Sequence, residues 1–153
     1  MHYCDYDSPL GNIMLASDGE SITEIRFVPS QGRRDALAVF IAASKWLDDY
    51  FGGSSGEPDF KIRLHVPPFA EKVLTALCKV GYGETITYGG LSAVVFGSPR
   101  YARAVGCAVG SNPVAIAVPC HRVVAAKGLG GYEYGTAAKS ALLDLERANI
   151  TLK

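Results

Sequence analysis

The densest chemistry in this 153-residue sequence lies in four consecutive residues, Pro119-Cys120-His121-Arg122. A structural cysteine normally sits among apolar neighbours, whereas this one is followed by an imidazole and a guanidinium. Cations close to a thiol lower its pKa and raise the thiolate fraction, which nucleophilic sulfur requires. Adjacent side chains on a strand point to opposite faces, so His121 can serve Cys120 only if the chain turns there or a water relays the proton. Triad logic then asks for a carboxylate to orient the imidazole. The C-terminal part offers Glu71, Glu84, Glu133, Asp144 and Glu146, of which Glu146, on the polar side of the last expected helix, is the candidate taken. On these local grounds a reactive Cys120 and a buried structural one both stand. The remaining cysteines, Cys4, Cys78 and Cys107, make no C-x-x-C pair and read as free thiols of a reducing compartment. His2, Cys4, His65 and Cys78 lack ligand spacing, so no metal and no cofactor are expected.

The elements that must position this tetrapeptide can be read from periodicity. Strands are expected at His2 to Tyr6, Asn12 to Ser17 and Ile22 to Val28, separated by Ser8-Pro9-Leu10-Gly11 and Asp18-Gly19. Asp35 to Phe51 places Leu37, Phe40, Ile41, Ser44, Leu47 and Phe51 near the i, i+3, i+4, i+7 template, with Trp46 and Tyr50 flanking the buried stripe. Gly52 to Asp59 has no periodicity and reads as a linker. Pro67-Pro68 can open a helix carrying Phe69, Val73, Leu74, Leu77 and Cys78 inward. Tyr88 to Phe96 and Arg100 to Gly110 are two helical patterns around Gly97-Ser98-Pro99, with Ser98 as N-cap and Pro99 at the first helical position, a helix-turn-helix signature. The last helix starts at Thr136, with Ala138, Leu142, Leu145 and Ala148 inward. Two parts follow, 1–66 and 67–153.

Charge and composition set the outer limits. Apolar residues make up 48% and charged residues 20%, enough to build a core, and the longest apolar run, Ala36 to Ala43, is too short to span a membrane. The first residues carry acids and no apolar leader core, so the cytosol is the expected compartment. The formal net charge is zero, yet 1–66 hold ten acids against six bases and 67–153 five acids against nine. Thr85 to Tyr132 contains no acid but does contain Arg100, Arg103, Arg122 and Lys127. That window can approach a polyanion, although charge alone does not decide the matter. The helix Tyr101-Ala102-Arg103-Ala104-Val105-Gly106-Cys107-Ala108 is thin enough to lie very close to another surface. An arginine centred in a buried Ala/Gly face would lack a partner, so that face is expected to be exposed.

Pro119 to Val124, together with Gly83-Glu84-Thr85-Ile86-Thr87-Tyr88, Ala102-Arg103-Ala104-Val105-Gly106, Asn112-Pro113 and Gly131-Tyr132, resembles the methylated-DNA–protein-cysteine methyltransferase family, the O6-alkylguanine-DNA alkyltransferases. The motifs are in register across 67–150, and Tyr6 to Gly11 is similar to the family's opening hairpin. The resemblance implies an α+β fold: a small N-terminal β-hairpin and helix lobe, ribonuclease-H-like, followed by a winged helix-turn-helix domain. It implies repair of double-stranded DNA by flipping out O6-alkylguanine, with O4-alkylthymine a further possible substrate, and moving the alkyl group irreversibly onto Cys120. On the same basis His121 activates Cys120 through a water, Glu146 orients His121, Asn112 holds the intervening loop, and Tyr88 donates to the leaving guanine. Arg103 fills the gap in the base stack, and Ala102, Ala104 and Gly106 let the helix enter the minor groove, with Arg100 and Arg122 also toward DNA. Tyr132 lines the base pocket, the Val123 carbonyl contacts the guanine amine, and Glu133 brings negative charge to the pocket mouth. No obligate protein partner is implied; the compartment is the cytoplasm, with the nucleoid or nucleus according to cell type. Two rivals compete with this reading. One is a lesion sensor or winged helix-turn-helix regulator that binds without reacting. The other is a cysteine hydrolase using Cys120, His121 and Asn112, distinguished by its turnover.

Overall fold

The computed structural model describes residues 1–150 and divides them into two units. The first contains 1–65 and 113–117, the second 66–112 together with 118 onward. A single cut in the chain assigns 113–117 to the second part. The pairing of Ile25 with Val114 places that stretch with the first.

In the first unit β1 (His2–Ser8), β2 (Gly11–Ser17) and β3 (Ile22–Phe27) form an antiparallel sheet in the order β1-β2-β3. The first hairpin closes at Ser8 opposite Gly11, where the Ser8 hydroxyl donates to the Gly11 carbonyl (2.6 Å) and accepts from the Leu10 amide (3.1 Å). Residues 13–17 of β2 are all buried, as a central strand covered on both faces should be. β3 is extended by parallel bridges from Ile22 to Ile62 and from Ile25 to Val114. Helix α1 (Ala38–Phe51) buries Phe40, Ala43, Trp46, Leu47 and Tyr50. The stripe is rotated from the expected one: Trp46 and Tyr50 stack at 5.6 Å inside it, and Ile41 is 74% exposed. Two aromatic rings bury more apolar area than one isoleucine, so their burial sets the helix rotation.

Asp5 on β1 is a buried carboxylate that holds the following loop. It accepts hydrogen bonds from the Ser30 hydroxyl (2.8 Å), the amides of Gln31 (3.2 Å) and Arg33 (3.1 Å) and the Asn12 side chain (3.1 Å). Burial alone would push its pKa up, but these donors overrule it and bring the group from 3.8 down to about 2. A carboxylate whose pKa is depressed by folding stabilises the folded state above its unfolded pKa and loses that contribution as pH drops. Thermal stability should therefore hold above about pH 4 and decline toward pH 2. Asp5→Ala should cost about 1–3 kcal/mol at neutral pH and flatten the acid decline, as followed by melting across a pH series.

The second unit is built from α2 (Pro68–Leu77), β4 (Ile86–Thr87), α3 (Tyr88–Phe96), α4 (Ala102–Gly110), β5 (Val123–Val124) and α5 (Thr136–Ile150). α2 buries Ala70, Val73, Leu74 and Leu77, one clean stripe. Cys78, expected in the core, is its exposed C-terminal cap, a helical step off that stripe, and Phe69 is 41% exposed. The helix-turn-helix corner is fixed by local chemistry. Thr87 caps α3 by accepting from the Gly90 amide (2.9 Å), and Gly97 ends it at φ +75°, a left-handed conformation suited to glycine. Ser98 then accepts from the Arg100 amide and opens a 3₁₀ turn, Pro99–Tyr101, that leads into α4. Buried Ser92 ties the corner together, donating to the Ser98 carbonyl (2.5 Å) and accepting from the Tyr101 amide (3.2 Å). Strand content is small: β4 and β5 form a two-residue parallel pair, with one further bridge from Ala125 to Gly128. The molecule is thus α+β. No helix among the described residues is long and apolar enough to cross a membrane.

Candidate active site

Cys120 is presented by a sequence of tight turns rather than by a strand. Ile116 is held at φ +68°, a sterically costly conformation for a β-branched residue, and is buried. Pro119 follows at φ −82°, ψ 64°, and the Cys120 amide donates to the Val118 carbonyl (2.8 Å), an inverse γ-turn. Cys120, His121 and Arg122 then form one 3₁₀ turn, with the Arg122 amide donating to the Pro119 carbonyl (3.0 Å). The Asn112 side chain spans the loop and donates to the Val118 carbonyl (2.9 Å). The chain therefore does turn at Cys120.

Behind the turn His121 and Glu146 are fully buried, their Nε2 and Oε2 atoms 2.5 Å apart. Glu146 also accepts from Arg122 Nε (2.8 Å) and Nη2 (3.2 Å) and from the Gly83 amide (3.0 Å). Glu146, expected on the polar side of α5, is fully buried. It lies inside because these donors, from two distant segments, converge on it. Burial holds the His121 pKa below the ordinary range in spite of the carboxylate, so the ring is neutral at pH 7. The Nε2 proton then belongs to the bond with Glu146, which makes Nδ1 the basic nitrogen.

Two electrostatic expectations are corrected. Arg122 neither activates Cys120 nor reaches outward toward DNA: its guanidinium lies on Glu146, donates to the Val80 carbonyl (2.7 Å) and sits over the Tyr82 ring. The Cys120 thiol is likewise not lowered by cations. Burial pushes its pKa up, opposed by hydrogen bonding with Asn112 and Tyr132, and the Glu133 charge adds to the rise. In the free protein the sulfur is a thiol.

Cys120 is only 8% exposed, but that exposure faces a cavity of about 360 Å³. Tyr88, Asn112, Tyr132, Glu133 and Tyr134 line it with Cys120, so Tyr88, Tyr132 and Glu133 are brought to the cysteine. The Tyr88 ring packs against Gly130, in the loop after β5, where the lack of a side chain leaves it room, and lies in ordinary contact with Gly106 of α4. A Cβ on Gly130, itself at φ +78°, would lie 3.2 Å from the Tyr88 hydroxyl. Tyr132 and Tyr134 meet edge to face at 5.6 Å, narrowing one side. A second, open depression is lined by Tyr88, Ala102, Arg103, Gly106 and Cys107, and it shares Tyr88 and Gly106 with the first. α4 turns Val105, Ala108 and Val109 inward and leaves Arg103, Ala104 and Cys107 exposed. Arg100, also exposed, lies over the Tyr101 ring. The exposed small-residue face is thus continuous with the mouth of the cysteine cavity.

The Val123 carbonyl, expected to contact substrate, accepts a hydrogen bond from Lys139 Nζ (2.6 Å). The sequence reasoning missed Lys139, which is fully buried on α5 and also donates to the Gly131 carbonyl (2.9 Å). The available signal was a lysine immediately after Ala138 on the expected inward stripe.

The molecule thus sets a cysteine in the wall of a cavity beside a helix-turn-helix scaffold. Residues 1–65 match the family described as 6-O-methylguanine DNA methyltransferase, ribonuclease-like domain, and residues 68–148 match its DNA binding domain. The chain belongs to this methyltransferase family. It is 41% identical to the methylated-DNA–protein-cysteine methyltransferase of Mycobacterium tuberculosis H37Rv, across 99% of this chain and 98% of that protein. With the corresponding protein of Methanosarcina acetivorans it shares 38% identity over 95% and 98% of the two chains. The crystal structure of Mycobacterium tuberculosis OGT in complex with DNA superposes with a TM-score of 0.88 at 40% identity, covering 97% of this chain and 94% of that one.

Proposed function

We propose that this protein repairs DNA by accepting the alkyl group of O6-alkylguanine on Cys120, once per molecule. The observation that carries the proposal is the position of Cys120 on the floor of a cavity whose mouth joins the exposed face of α4, with the buried His121–Glu146 pair behind it. The duplex meets α4 through its minor groove, and the alkylated base enters the cavity while Arg103 fills the vacated stack. Cys120 loses its proton toward His121 through a water. Its sulfur forms a bond to the alkyl carbon as the carbon–O6 bond breaks, Tyr88 supplies a proton to the departing guanine, and the proton taken up by His121 is released to solvent, from which the Tyr88 phenolate is reprotonated. Arg103, Ala104 and the half-buried Ala102 and Gly106 make up the contact face, with Arg100 at its edge. Acting on DNA, the protein works in the cytoplasm or wherever the chromosome lies.

The product is a thioether, and no step in this sequence regenerates the thiol. A hydrolase would regenerate it, and it would need His121 paired with Asn112. Here His121 pairs with Glu146, and Asn112 braces the loop. The test is incubation with a duplex containing O6-methylguanine, followed by intact mass and peptide mapping. The expected result is a gain of one CH₂ per molecule on Cys120 with no further turnover. Multiple turnover, or an unmodified cysteine beside a bound lesion, overturns the reading in favour of a hydrolase or a sensor.

A further inference from the structure

Single exposed apolar side chains are ordinary, whereas several in contact at a surface mark a place that something covers. The helix-turn-helix corner carries three such rings in a row. Phe69, in the first turn of α2, stacks on Phe96 at the end of α3 with ring centres 5.1 Å apart and planes within 10°. Phe96 in turn meets Tyr101, the residue before α4, edge to face at 5.4 Å. Phe69 and Tyr101 are each 41% exposed, where rings that served only to pack the corner would be buried. The cluster also holds two cations. Lys72 Nζ lies 5.1 Å from the centre of the Phe96 ring, and Arg100 Cζ lies 5.3 Å from that of Tyr101. Both residues are exposed, and among the described residues neither is paired with a carboxylate. Glu71, the one acid of α2, lies about 100° round that helix from Lys72. A ring beneath a cation holds the side chain in place without neutralising it, so part of the rotamer freedom that binding would remove is already gone.

Charge and continuity decide what covers the rings. Un-neutralised cations fixed over apolar faces match a ligand that alternates negative and apolar groups, as the phosphates and sugars of a nucleic-acid backbone do. Arg100 and Tyr101 lead directly into α4, whose exposed face carries Arg103. We infer that Phe69, Lys72, Phe96, Arg100 and Tyr101 form a ring-backed clamp on the DNA backbone beside the α4 contact, extending the bound surface from α4 to α2. This rests on the reading of α4 as the helix that faces DNA. The clamp touches backbone only, so it adds affinity without reading sequence or lesion.

The test follows binding of an unmodified duplex by fluorescence anisotropy over a salt series, with the wild type, Lys72→Gln, Lys72→Arg, Phe96→Leu and Lys45→Gln. One phosphate contact contributes about 0.9 to the slope of log affinity against log salt, which amounts to about eightfold in affinity per tenfold in salt. Lys72→Gln should therefore lose about one unit of slope and bind about eightfold more weakly at about 0.1 M salt, converging on the wild type near 1 M, and Lys72→Arg should restore both quantities. Phe96→Leu keeps every charge and should still weaken binding about two- to fivefold, the worth of an exposed cation–π contact. Lys45→Gln, which removes the same charge from an exposed position on α1, should match the wild type. A folded Lys72→Gln with the wild-type slope overturns the inference in favour of a protein partner for the rings, and a Lys45→Gln that loses as much as Lys72→Gln overturns it in favour of net charge. A folded Phe96→Leu of wild-type affinity overturns it as well, since Lys72 would then be an ordinary surface charge. If Phe96→Leu does not fold, Phe69→Leu, which removes the outer ring at an exposed position, takes its place with the same consequence. Wild-type protein that binds the duplex without salt dependence, or not at all, would instead refute α4 as the DNA-facing helix.

Discussion

Cys120→Ser should take up no methyl group from a duplex carrying O6-methylguanine, while binding that duplex about as well as the parent protein. The two side chains are close in size, so the cavity shared with Tyr88, Asn112 and Tyr132 stays formed. Chemistry separates them: a serine hydroxyl holds its proton far more tightly than a thiol, and its oxygen is a weak nucleophile without strong base assistance. The site has little such assistance to spare, because burial already keeps the native thiol protonated and the imidazole behind it is neutral, its pKa depressed by burial. Intact mass gives the uptake and fluorescence anisotropy gives the binding. Methylation of the serine variant would move the acceptor elsewhere, and loss of binding would mean that Cys120 shapes the pocket.

Glu146→Gln should lower stability by about 3–5 kcal/mol, the usual cost of removing one partner from a buried ion pair. Glu146 receives Arg122 at two atoms, His121 and the Gly83 amide, all in a solvent-free setting. A neutral amide leaves the guanidinium without a counter-charge and offers an NH₂ where His121 needs an acceptor. The imidazole then loses the contact that keeps its proton on Nε2, so methyl transfer should slow by about 10²–10⁴-fold. Melting curves give the first quantity. Single-turnover kinetics well below the melting temperature give the second, so that chemistry is not confused with unfolding. A variant of unchanged stability would mean that Arg122 finds another partner, and an unchanged rate would exclude His121 as the base.

The parts of this site that were readable in advance were those written locally. Thr87, Gly97, Ser98 and Pro99 cap and break helices by their own backbone preferences, so the helix-turn-helix corner follows from a few adjacent residues. Cys120 and His121 stood out for the same reason. What escaped reading depends on segments far apart in the chain. Arg122 looked like an outward cation because its partner lies 24 residues away, and Lys139 drew no reading because its acceptors lie on two separate loops. The α1 stripe was misplaced because periodicity does not weigh Trp46 and Tyr50 against Ile41, whereas packing does. The thiol was expected to be acidic from neighbours counted along the chain. In space those neighbours are spent elsewhere and desolvation dominates.

Residues 113–117 bear on how such a molecule can be divided or inherited. Between α4 and the reactive turn, the backbone leaves one unit for five residues, exchanges hydrogen bonds with Ile25 (Pro113 carbonyl and Ala115 amide, 2.9 Å each), and returns. A fragment starting near residue 66 would carry Val114, Ala115 and Ile116 as a greasy strand with no edge to join, ending four positions before Cys120. The two halves are therefore poor candidates for shuffling among unrelated proteins, and gene duplication or loss should act on the whole length at once.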